Sequence, residues 1–485
     1  MAKGVERARS PARLGACRAA SALLRSYMSV MSFRPIFLRL SVCLAALFGW
    51  IGIASAQTLL RDAEIEQFLE DYTRPLMEVA GINPEGIEIL IVGDPNFNAF
   101  AGPGVMGMNT GTILMAETPN EIEGVLAHEV GHLAGAHSVR GPEAYAKASR
   151  PAMLSLVLGA AAIAAGAPPE AGFGILGLGQ NAAMGTALTY SRGQESAADQ
   201  AALSYLEAIG HSGRGLMTSF ERLSNQLLLS GRDVKPYLQT HPIGLKRVAA
   251  LNDRASQMQH FGDTDSEEEI FRLHMIQAKI TGFMSEPFTT LRKYPLSDQT
   301  QPARYARAVA YYRDSRLEKA LTEIDRLIVD DPDNPFFEEL KGQMLFEHGK
   351  VREAVEPHRK SVELAPQYAL LKINLARALV ALEGDEEVTE GITLLQTALV
   401  QEPDNSFAWS ELARAYAVKR NEPMAALSHA EALFSVGNTP EAHRFASLAR
   451  DKLTPGTPEH LRALDIIRAS EDDARRARAR GGNRR

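Results

Sequence analysis

Cysteine is nearly absent from this chain of 485 residues. The two cysteines, Cys17 and Cys43, both lie within the first 56 positions. If that segment is removed on export, no disulfide can stabilise the remainder, and no cysteine is left there to bind a metal ion. The length exceeds that of a single hydrophobic core, so we expect two or three domains.

The first 56 residues have the three parts of a secretory signal peptide. Arg34 and Arg39 precede an apolar run of about 14 residues, and residues 54–56 then read Ala-Ser-Ala, a cleavage pattern. The run is short for a membrane span, which favours cleavage over anchoring. We therefore predict export to the periplasm with cleavage after Ala56.

The 30 residues before this signal are rich in arginine and leave two interpretations open. They are either a mitochondrial transit peptide or a spurious extension, because Met31 would begin a signal of ordinary length. The whole chain has a net charge of −7, and residues 1–56 carry eight basic residues against one acidic residue, which leaves −14 for the exported part. So acidic a protein is not expected to bind nucleic acid.

Short strands and capped helices follow the leader and indicate an α+β domain. Residues 59–80 predict an amphipathic helix ended by Gly81. Thr118, Pro119 and Glu121 predict a helix start with a capping box. Between these helices lie the predicted strands of a small sheet, 87–92, 98–101 and 105–109.

A segment without charge other than Glu170 spans residues 151–191. Its prolines and amides are poor material for membrane spans, although a spanning pair stays an alternative. We expect a hairpin that covers the active site and contacts a membrane only peripherally. Ser191 and Gln194 then predict a second capping box, at the start of a helix that ends at Gly210.

The C-terminal part repeats with a period typical of TPR motifs. Pro332 and Pro366 are 34 residues apart, and Pro403 follows after 37. The clearest unit begins at Trp409, and an insertion near 383–390 disturbs the unit before it. Four such units are enough to bury a continuous core by stacking.

The sequence His128-Glu129-Val130-Gly131-His132 carries the strongest functional pattern. On a helix, positions four apart share one face, so His128 and His132 can reach the same metal ion. Glu129 is then close enough to act on a water at that ion. The motif could also be a polar pair on an exposed helix, but apolar and small neighbours make exposure a poor explanation.

Zinc in a catalytic site needs a third protein ligand, and Glu195 is the best candidate. It lies one turn into the helix that follows Ser191, and Asp199 lies one turn further along the same face. Asp199 could accept a hydrogen bond from a ligand histidine and fix its tautomer. The alternative for Glu195 is a solvated first-turn glutamate favoured by the helix dipole.

HEVGH followed by Ser-Arg-x-x-Glu-x-x-Ala-Asp resembles metallopeptidase family forty-eight, which includes the HtpX-like and BepA-like zinc endopeptidases. Residues 98–104 resemble the family segment that precedes the zinc helix, and the TPR tail is similar to the BepA-like branch. The resemblance implies that His128, His132 and Glu195 bind one Zn²⁺ and that Glu129 is the catalytic acid/base. It also implies that substrates lie extended along an edge strand, for which we take 105–109.

Thr240-His241-Pro242 with Arg247 looks like a further motif of this family. The resemblance implies that His241 can bind the zinc as a fourth ligand and keep the enzyme latent, while the alternative is a plain helix-start histidine. A cation or histidine must also stabilise the oxyanion that forms when the scissile carbonyl is attacked. His241 or Arg247 could do so once displaced from a resting position. His137, five residues after His132, lies off the ligand face and is expected to be structural.

The predicted fold is mainly α (α+β), a zincin-like metallopeptidase domain with a small sheet followed by an α-helical TPR solenoid. We predict an envelope endopeptidase that hydrolyses misfolded or misassembled outer-membrane proteins, with the solenoid recruiting substrates or the outer-membrane assembly machinery. The alternatives are a chaperone-like TPR protein with a latent site and an integral membrane protease. The expected segments are a signal peptide (1–56), the peptidase domain (57–260), a linker or helical connection (261–300), the solenoid (301–470) and a basic disordered tail (471–485).

Overall fold

The computed structural model describes residues 59–135, 192–230, 241–243 and 245–482. The predicted signal peptide, the hairpin at 151–191, His137, Ser191 and Thr240 lie outside the described residues. From Gln57 onward the chain forms one compact unit. No helix in the described ranges is both long and apolar enough to cross a membrane.

The first helix, α1, spans Ala63–Val79 and begins later than the sequence pattern suggested. Asp62 caps it by accepting a hydrogen bond from the backbone N–H of Ile65. The two residues predicted to open the helix, Leu59–Leu60, instead form the short strand β1. The apolar face of α1 is fully buried in the core through residues such as Phe68 and Leu76.

A four-stranded sheet stands beside α1. Its other strands are β2 (Glu88–Val92), β3 (Ala99–Gly102) and β4 (Val105–Asn109), in the order β1-β2-β4-β3. Strand β4 pairs with β2 in parallel and with β3 antiparallel. Both sides of β4 are therefore occupied, and the expectation that 105–109 is the edge strand is wrong. The sheet has β3 at the edge beyond β4.

After the short helix α2 (Thr110–Met115), helix α3 (Pro119–Ala134) carries the HEVGH sequence through the core. Its first turn differs from the predicted capping box, because Thr118 makes no side-chain cap. Glu121 instead accepts the N–H of Glu117 at 2.8 Å and two hydrogen bonds from Arg222, at 2.7 and 2.9 Å. This glutamate thus ties the start of α3 to another helix.

Three helices pack around α3. They are α4 (192–209), α5 (Arg214–Ser230) and α6 (Leu245–Ala255). Gly131 permits the approach of α4, because a Cβ at this position would lie 2.8 Å from the carbonyl oxygen of Ala198. Gly124 does the same for α5, where a Cβ would lie 2.4 Å from the backbone nitrogen of Leu216. Glycines on α3 thus bring α4 and α5 close to the motif.

Helix α7 (Glu267–Met284) belongs to two cores at once. Ser266 and Glu269 form a full capping box at its start. Leu273 and Ile276 pack into the core around α3, while Met275 and Ala278 pack into the first core of the following helices. The segment expected to be a linker or connection, which also holds α8 (Pro287–Lys293), is therefore a packed helical joint.

Antiparallel helix pairs make up the rest of the chain, as the TPR pattern predicts. Pro332, Pro366 and Pro403 lie between successive pairs, and Glu383, at a φ of 58°, precedes the longer helix of the third pair. The helices are α9 (Gln301–Arg313), α10 (Leu317–Asp330), α11 (Pro335–Glu347), α12 (Val351–Leu364), α13 (Ala369–Val380), α14 (Asp385–Gln401), α15 (Ser406–Val418), α16 (Glu422–Ser435), α17 (Thr439–Arg450) and α18 (Pro458–Gly482).

The last helix, α18, differs from the disordered tail expected at 471–485. It continues to Gly482. The basic composition suggested a solvated coil, but alanine and arginine are strong helix formers. Acidic residues at 471–473 also precede arginines by three to four positions, a spacing that favours helix.

A buried ion cluster joins the start of the peptidase part to the solenoid. The ammonium group of Lys279 on α7 lies 2.7 Å from Asp62 and 2.9 Å from Glu64. The hydroxyl of Tyr305 on α9 donates to the same Glu64 carboxylate at 2.7 Å. Burial disfavours the charge on Lys279, but the carboxylates outweigh it and raise the lysine pKa. Removing one member would leave uncompensated charge in the core.

Candidate metal centre

Helix α3 brings two imidazoles together, as their spacing predicts. The Nε2 atoms of His128 and His132 are 3.1 Å apart. His128 is completely buried and His132 is 9% exposed. Two buried ring nitrogens at this distance either share a proton in a hydrogen bond or bind one cation in common.

Helix α4 adds the carboxylate of Glu195 to this pair. Its Oε2 lies 3.5 Å from His128 Nε2, and its Oε1 lies 3.4 Å from His132 Nε2. Glu195 is buried, with 4% of its surface exposed. The solvated first-turn glutamate considered from the sequence is therefore not what the structure shows.

His241, just before Pro242, supplies a fourth donor. Its Nδ1 lies 3.4 Å from His128 Nε2 and 3.2 Å from Glu195 Oε1. One ligand atom from each of the four side chains falls within 4.8 Å of the others. The set of His128, His132, Glu195 and His241 can therefore hold one metal ion in common.

Asp199 and Arg247 contact the donor side chains and fix their orientation. Asp199 Oδ1 lies 3.0 Å from His128 Nδ1, on the ring side away from the other donors. Arg247 donates from Nε and Nη2 to both Asp199 oxygens, each at 2.7 Å, and its Nη1 lies 2.7 Å from Glu195 Oε2. Arg247 also donates to the carbonyl of Pro242 at 3.3 Å. It thus clamps two carboxylates and the His241 segment at once.

The oxyanion role considered for Arg247 requires its displacement from this clamp and stays a prediction. In the observed arrangement its guanidinium is committed to carboxylates, so it positions ligands. The sequence also gave no indication of Phe220 on α5. Arg247 lies 4.8 Å from the centre of its ring, and the ring of His128 meets it edge to face at 5.5 Å. Phe220 therefore forms an apolar floor beneath both residues.

Glu129 points into the same space without a partner. It is completely buried, and neither carboxylate oxygen has a hydrogen-bond partner in the described chain. The nearest charged contact is His241 Nε2, 3.8 Å from Glu129 Oε1. A buried carboxylate without hydrogen bonds is expensive, which is typical of a functional rather than a structural group.

The electrostatics of the centre favour a cation. Burial opposes the charge on His128, yet Asp199 and Glu195 raise the pKa of His128 to about 9. Burial also opposes ionisation of Glu195, but contacts with His128, His132 and His241 hold its pKa well below its usual range. Arg247 and His128 likewise lower the pKa of Asp199 against burial. Two ionised carboxylates therefore face the imidazoles, as a metal site requires.

The fold and this centre together define an HExxH metallopeptidase followed by a helical-repeat solenoid. Over residues 60–255 the chain matches Peptidase family M48, so it carries a domain of that family and is a metallopeptidase.

Relatives with assigned names support the same class. The beta-barrel assembly-enhancing protease of Escherichia coli (strain K12) is 23% identical, over 83% of this chain and 82% of the relative. The protein of that name from Yersinia pestis is also 23% identical, over 83% of each chain. Metalloprotease YcaL of E. coli is 32% identical over 35% of this chain and 62% of its own length. The long matches therefore cover peptidase and solenoid together.

Solved repeat proteins are only loosely similar to the chain. The crystal structure of MamA has 18% identity and a TM-score of 0.27, covering 35% of this chain and 96% of MamA. YrrB, a TPR protein, has 18% identity and a TM-score of 0.30, covering 37% and 91%. At such scores these likenesses carry no argument about function, and the solenoid rests on the helix pairs described above.

Proposed function

We propose that this protein is a zinc-dependent endopeptidase of the cell envelope. In this proposal it hydrolyses misfolded or misassembled outer-membrane proteins, and its solenoid recruits them or their assembly machinery. The observation that carries the enzymatic part is the convergence of four buried donors beside an unpartnered glutamate. The substrate class rests on the names of the long relatives, which refer to β-barrel assembly.

Zinc fits the donor set better than a harder cation. Imidazoles dominate the set, whereas Mg²⁺ and Ca²⁺ prefer oxygen ligands. Two atoms bound to one zinc at roughly 2.0–2.1 Å with tetrahedral angles lie about 3.3 Å apart. The gaps of His128 Nε2 to His132, His241 and Glu195 are 3.1, 3.4 and 3.5 Å. The gaps around His128 Nε2 thus suit a tetrahedral ion, and all four donor atoms lie within 4.8 Å of one another.

His128, His132 and Glu195 are the proposed permanent ligands, and His241 is the proposed removable one. Catalytic zinc sites keep one position open, while four protein ligands are typical of a closed site. His241 comes from a short segment before α6, whereas the other three donors lie on the packed helices α3 and α4. Movement of this segment would open the site, and in this proposal the arrangement with His241 among the donors is the latent state.

Hydrolysis then depends on Glu129. A bound zinc ion lowers the pKa of water and polarises the carbonyl of the scissile peptide. Glu129 takes a proton from the attacking water and delivers it to the leaving amine nitrogen. Its lack of other hydrogen bonds leaves both oxygens available for this transfer. Asp199 and Arg247 keep His128 and Glu195 in place throughout.

Substrate would lie extended along β3. This strand has β4 on one side, and the described residues provide no strand on its other side. Backbone pairing to an open edge accepts many sequences, which suits an enzyme that acts on unfolded protein. The signal-like leader supports a periplasmic location, and the segment 151–191 is the proposed place of peripheral membrane contact.

A second function, that of a chaperone-like binding protein, is favoured by the closed position of His241. In that case the solenoid alone would act, and the metal site would stay latent. The two functions separate in a cleavage assay on the zinc-loaded chain from Gln57 onward, with unfolded casein and an unfolded outer-membrane β-barrel protein as substrates.

We expect cleavage by the unaltered protein, loss of cleavage without loss of binding in Glu129→Gln, and loss of zinc in Glu195→Gln. Equal cleavage by the unaltered and Glu129→Gln proteins would refute the proposed chemistry. Binding without any cleavage, even after His241→Ala, would favour the chaperone-like function. Cleavage of casein but not of the β-barrel protein would refute only the proposed substrate class.

A further inference from the structure

A cavity of about 400 Å³ lies between the start of the peptidase part and the inner helices of the solenoid. Residues 60–65, the end of α7, and helices α11 and α13 contribute to its wall. Its volume falls within the range of pockets that enclose a small ligand, roughly 300–1,000 Å³. The apolar lining includes Phe283, Phe346, Leu370 and Phe407.

Arg377 on α13 lines this cavity without a carboxylate partner. Its guanidinium carbon lies 4.5 Å from the ring centre of Phe346 and 5.7 Å from that of Phe407. In the described part of the chain its side chain has no salt bridge and donates no hydrogen bond, unlike Arg307, whose guanidinium pairs with Glu323. Rings on the guanidinium faces orient it and leave its edge N–H groups available.

Arg61 and Asp62 of the cavity wall are paired with opposite charges, whereas Glu339 is held toward its neutral form by burial. Arg61 pairs with Glu66 and with Glu402. Asp62 pairs with Lys279 at 2.7 Å. Glu339 accepts a hydrogen bond from Asn374 at 2.9 Å, and burial raises the pKa of this glutamate to about 7. Among the described residues of the cavity wall, Arg377 is therefore the cation without a carboxylate partner, and it gives its part of the cavity an attraction for an anion.

His358 on α12 is a second polar group without a partner at this place. It is 3% exposed, lines the cavity, and its Nδ1 has no hydrogen bond. Gly342 makes room for the ring, because a Cβ there would lie 2.6 Å from His358 Nδ1. Burial and the neighbouring Arg377 lower the pKa of His358 to about 4, so the ring is neutral and carries one N–H. Because Nδ1 is closed off from solvent, a ligand in the cavity could meet only the other ring nitrogen of His358.

We propose that this cavity binds the free C-terminal carboxylate of a protein chain that ends in an apolar, preferably aromatic, residue. Arg377 pairs with the carboxylate, and His358 supplies a further polar contact. The last side chain packs against Phe346, Phe407 and Leu370. An internal Asp or Glu side chain fits less well, because the backbone continues on both sides of it and would bring polar peptide groups into the apolar cavity. A C-terminal residue has backbone on one side only.

This inference deepens the proposed recruiting role of the solenoid. It would let the protein select unassembled chains whose C-terminus is exposed, since an end built into a folded barrel is unavailable. Binding is measured in the Glu129→Gln background, where the peptide stays intact. A failure of the proposed catalysis would therefore leave the binding result unchanged, and the two proposals can fail separately.

The test compares two forms of one short fluorescein-labelled peptide that ends in phenylalanine, with a free or an amidated C-terminus, by fluorescence anisotropy. We expect amidation to weaken binding roughly ten- to hundred-fold, as loss of a charge-assisted hydrogen bond does. Arg377→Gln should weaken the free acid by a similar factor and remove the preference for acid over amide. The matched control is Arg444→Gln, because Arg444 also stacks on a phenylalanine ring, at 4.2 Å, but outside the cavity.

Equal affinity for acid and amide in the unaltered protein would overturn the proposal, and this comparison needs no variant to fold. A preference that survives in Arg377→Gln would overturn the assignment of the carboxylate to this arginine. Dodecanoate is added as a competitor to test a free fatty acid as the ligand. A peptide C-terminus as the occupant would be refuted if dodecanoate binds more tightly than the peptide, displaces it, and loses this affinity in Arg377→Gln.

Discussion

Replacing His241 by alanine should activate the peptidase. In the structure His241 Nδ1 lies within 3.2 Å of Glu195 Oε1 and 3.4 Å of His128 Nε2, where it completes the set of four donors. The three donors on α3 and α4 do not depend on it. His241→Ala should therefore keep one zinc per chain while opening the position that substrate needs.

The size of the effect can be bounded by giving the contact of His241 in the closed state the strength of a hydrogen bond to a charged group. Such a bond contributes about 1.5–3 kcal/mol. At about 1.4 kcal/mol per factor of ten, this shifts the closed–open equilibrium of His241 by roughly ten- to 150-fold. If opening limits turnover, kcat/KM for unfolded casein should rise by up to that factor. If His241 stabilised the oxyanion instead, its loss would reduce kcat by about 10²–10³.

The sign of the change therefore decides between a removable ligand and a catalytic histidine. The assay is initial-rate cleavage of labelled casein by zinc-loaded protein, with metal content measured on the same samples. His260→Ala is the control, because His260 pairs with Asp263 outside the metal-binding group, and it should leave the rate unchanged. A fall in activity at full zinc content would refute the latent-state account.

Three further substitutions test how the centre and the joint are built. Arg247→Ala should lower zinc affinity about 10–100-fold in competition with a chromophoric chelator, because the carboxylates around the ligands lose their clamp. Gly131→Ala should lower the free energy of unfolding by about 1–3 kcal/mol in a urea titration, because its Cβ would meet a backbone oxygen of α4 at 2.8 Å, whereas Gly193→Ala has open space and should be neutral. Lys279→Met should lower the free energy of unfolding by about 3–5 kcal/mol in the same titration. The control is Lys419→Met, which breaks the exposed pair of Lys419 with Asp385 and should cost little. Equal stability of the two lysine variants would contradict a buried ion cluster at the joint.

Local sequence was sufficient for the features that depend on neighbours along the chain. The spacing of His128 and His132 predicts one shared helix face, and the structure brings their Nε2 atoms to 3.1 Å. The prolines near the end of each repeat predict where helix pairs change. Glu195 could not be assigned as a ligand from its local sequence alone, because its position on a helix does not show where that helix packs. A search for a third ligand in a chain whose two cysteines both lie in the predicted leader supplied the missing constraint.

Pairing between distant segments was not predictable in the same way. Strand β4 reads as a short, separate strand, and only its partners β2 and β3 show that it is interior. Arg247 is 48 residues from Asp199, and no periodicity records that the two side chains meet. Glu121 has the spacing of a capping box, yet Arg222, 101 residues later, takes its carboxylate. Long-range ion pairs override local capping preferences here.

The prediction made from composition was wrong for the tail and incomplete for the region before the solenoid. The tail after 470 is basic, but its residues are good helix formers and it extends α18 to Gly482. The region 261–300 was expected to be a linker or helical connection, and the helix α7 found there supplies buried side chains to the cores on both sides. A helix with apolar residues on two faces predicts such a joint, since each face needs its own partner.

The most direct test of the central claim is anomalous diffraction at the zinc absorption edge from crystals of the zinc-loaded protein. We predict a single strong peak within about 2.0–2.2 Å of His128 Nε2, His132 Nε2 and a Glu195 oxygen. The Glu129 carboxylate should face the peak without binding it. A peak elsewhere, or one that lacks Glu195 as a ligand, would contradict the account of this protein as a zinc peptidase.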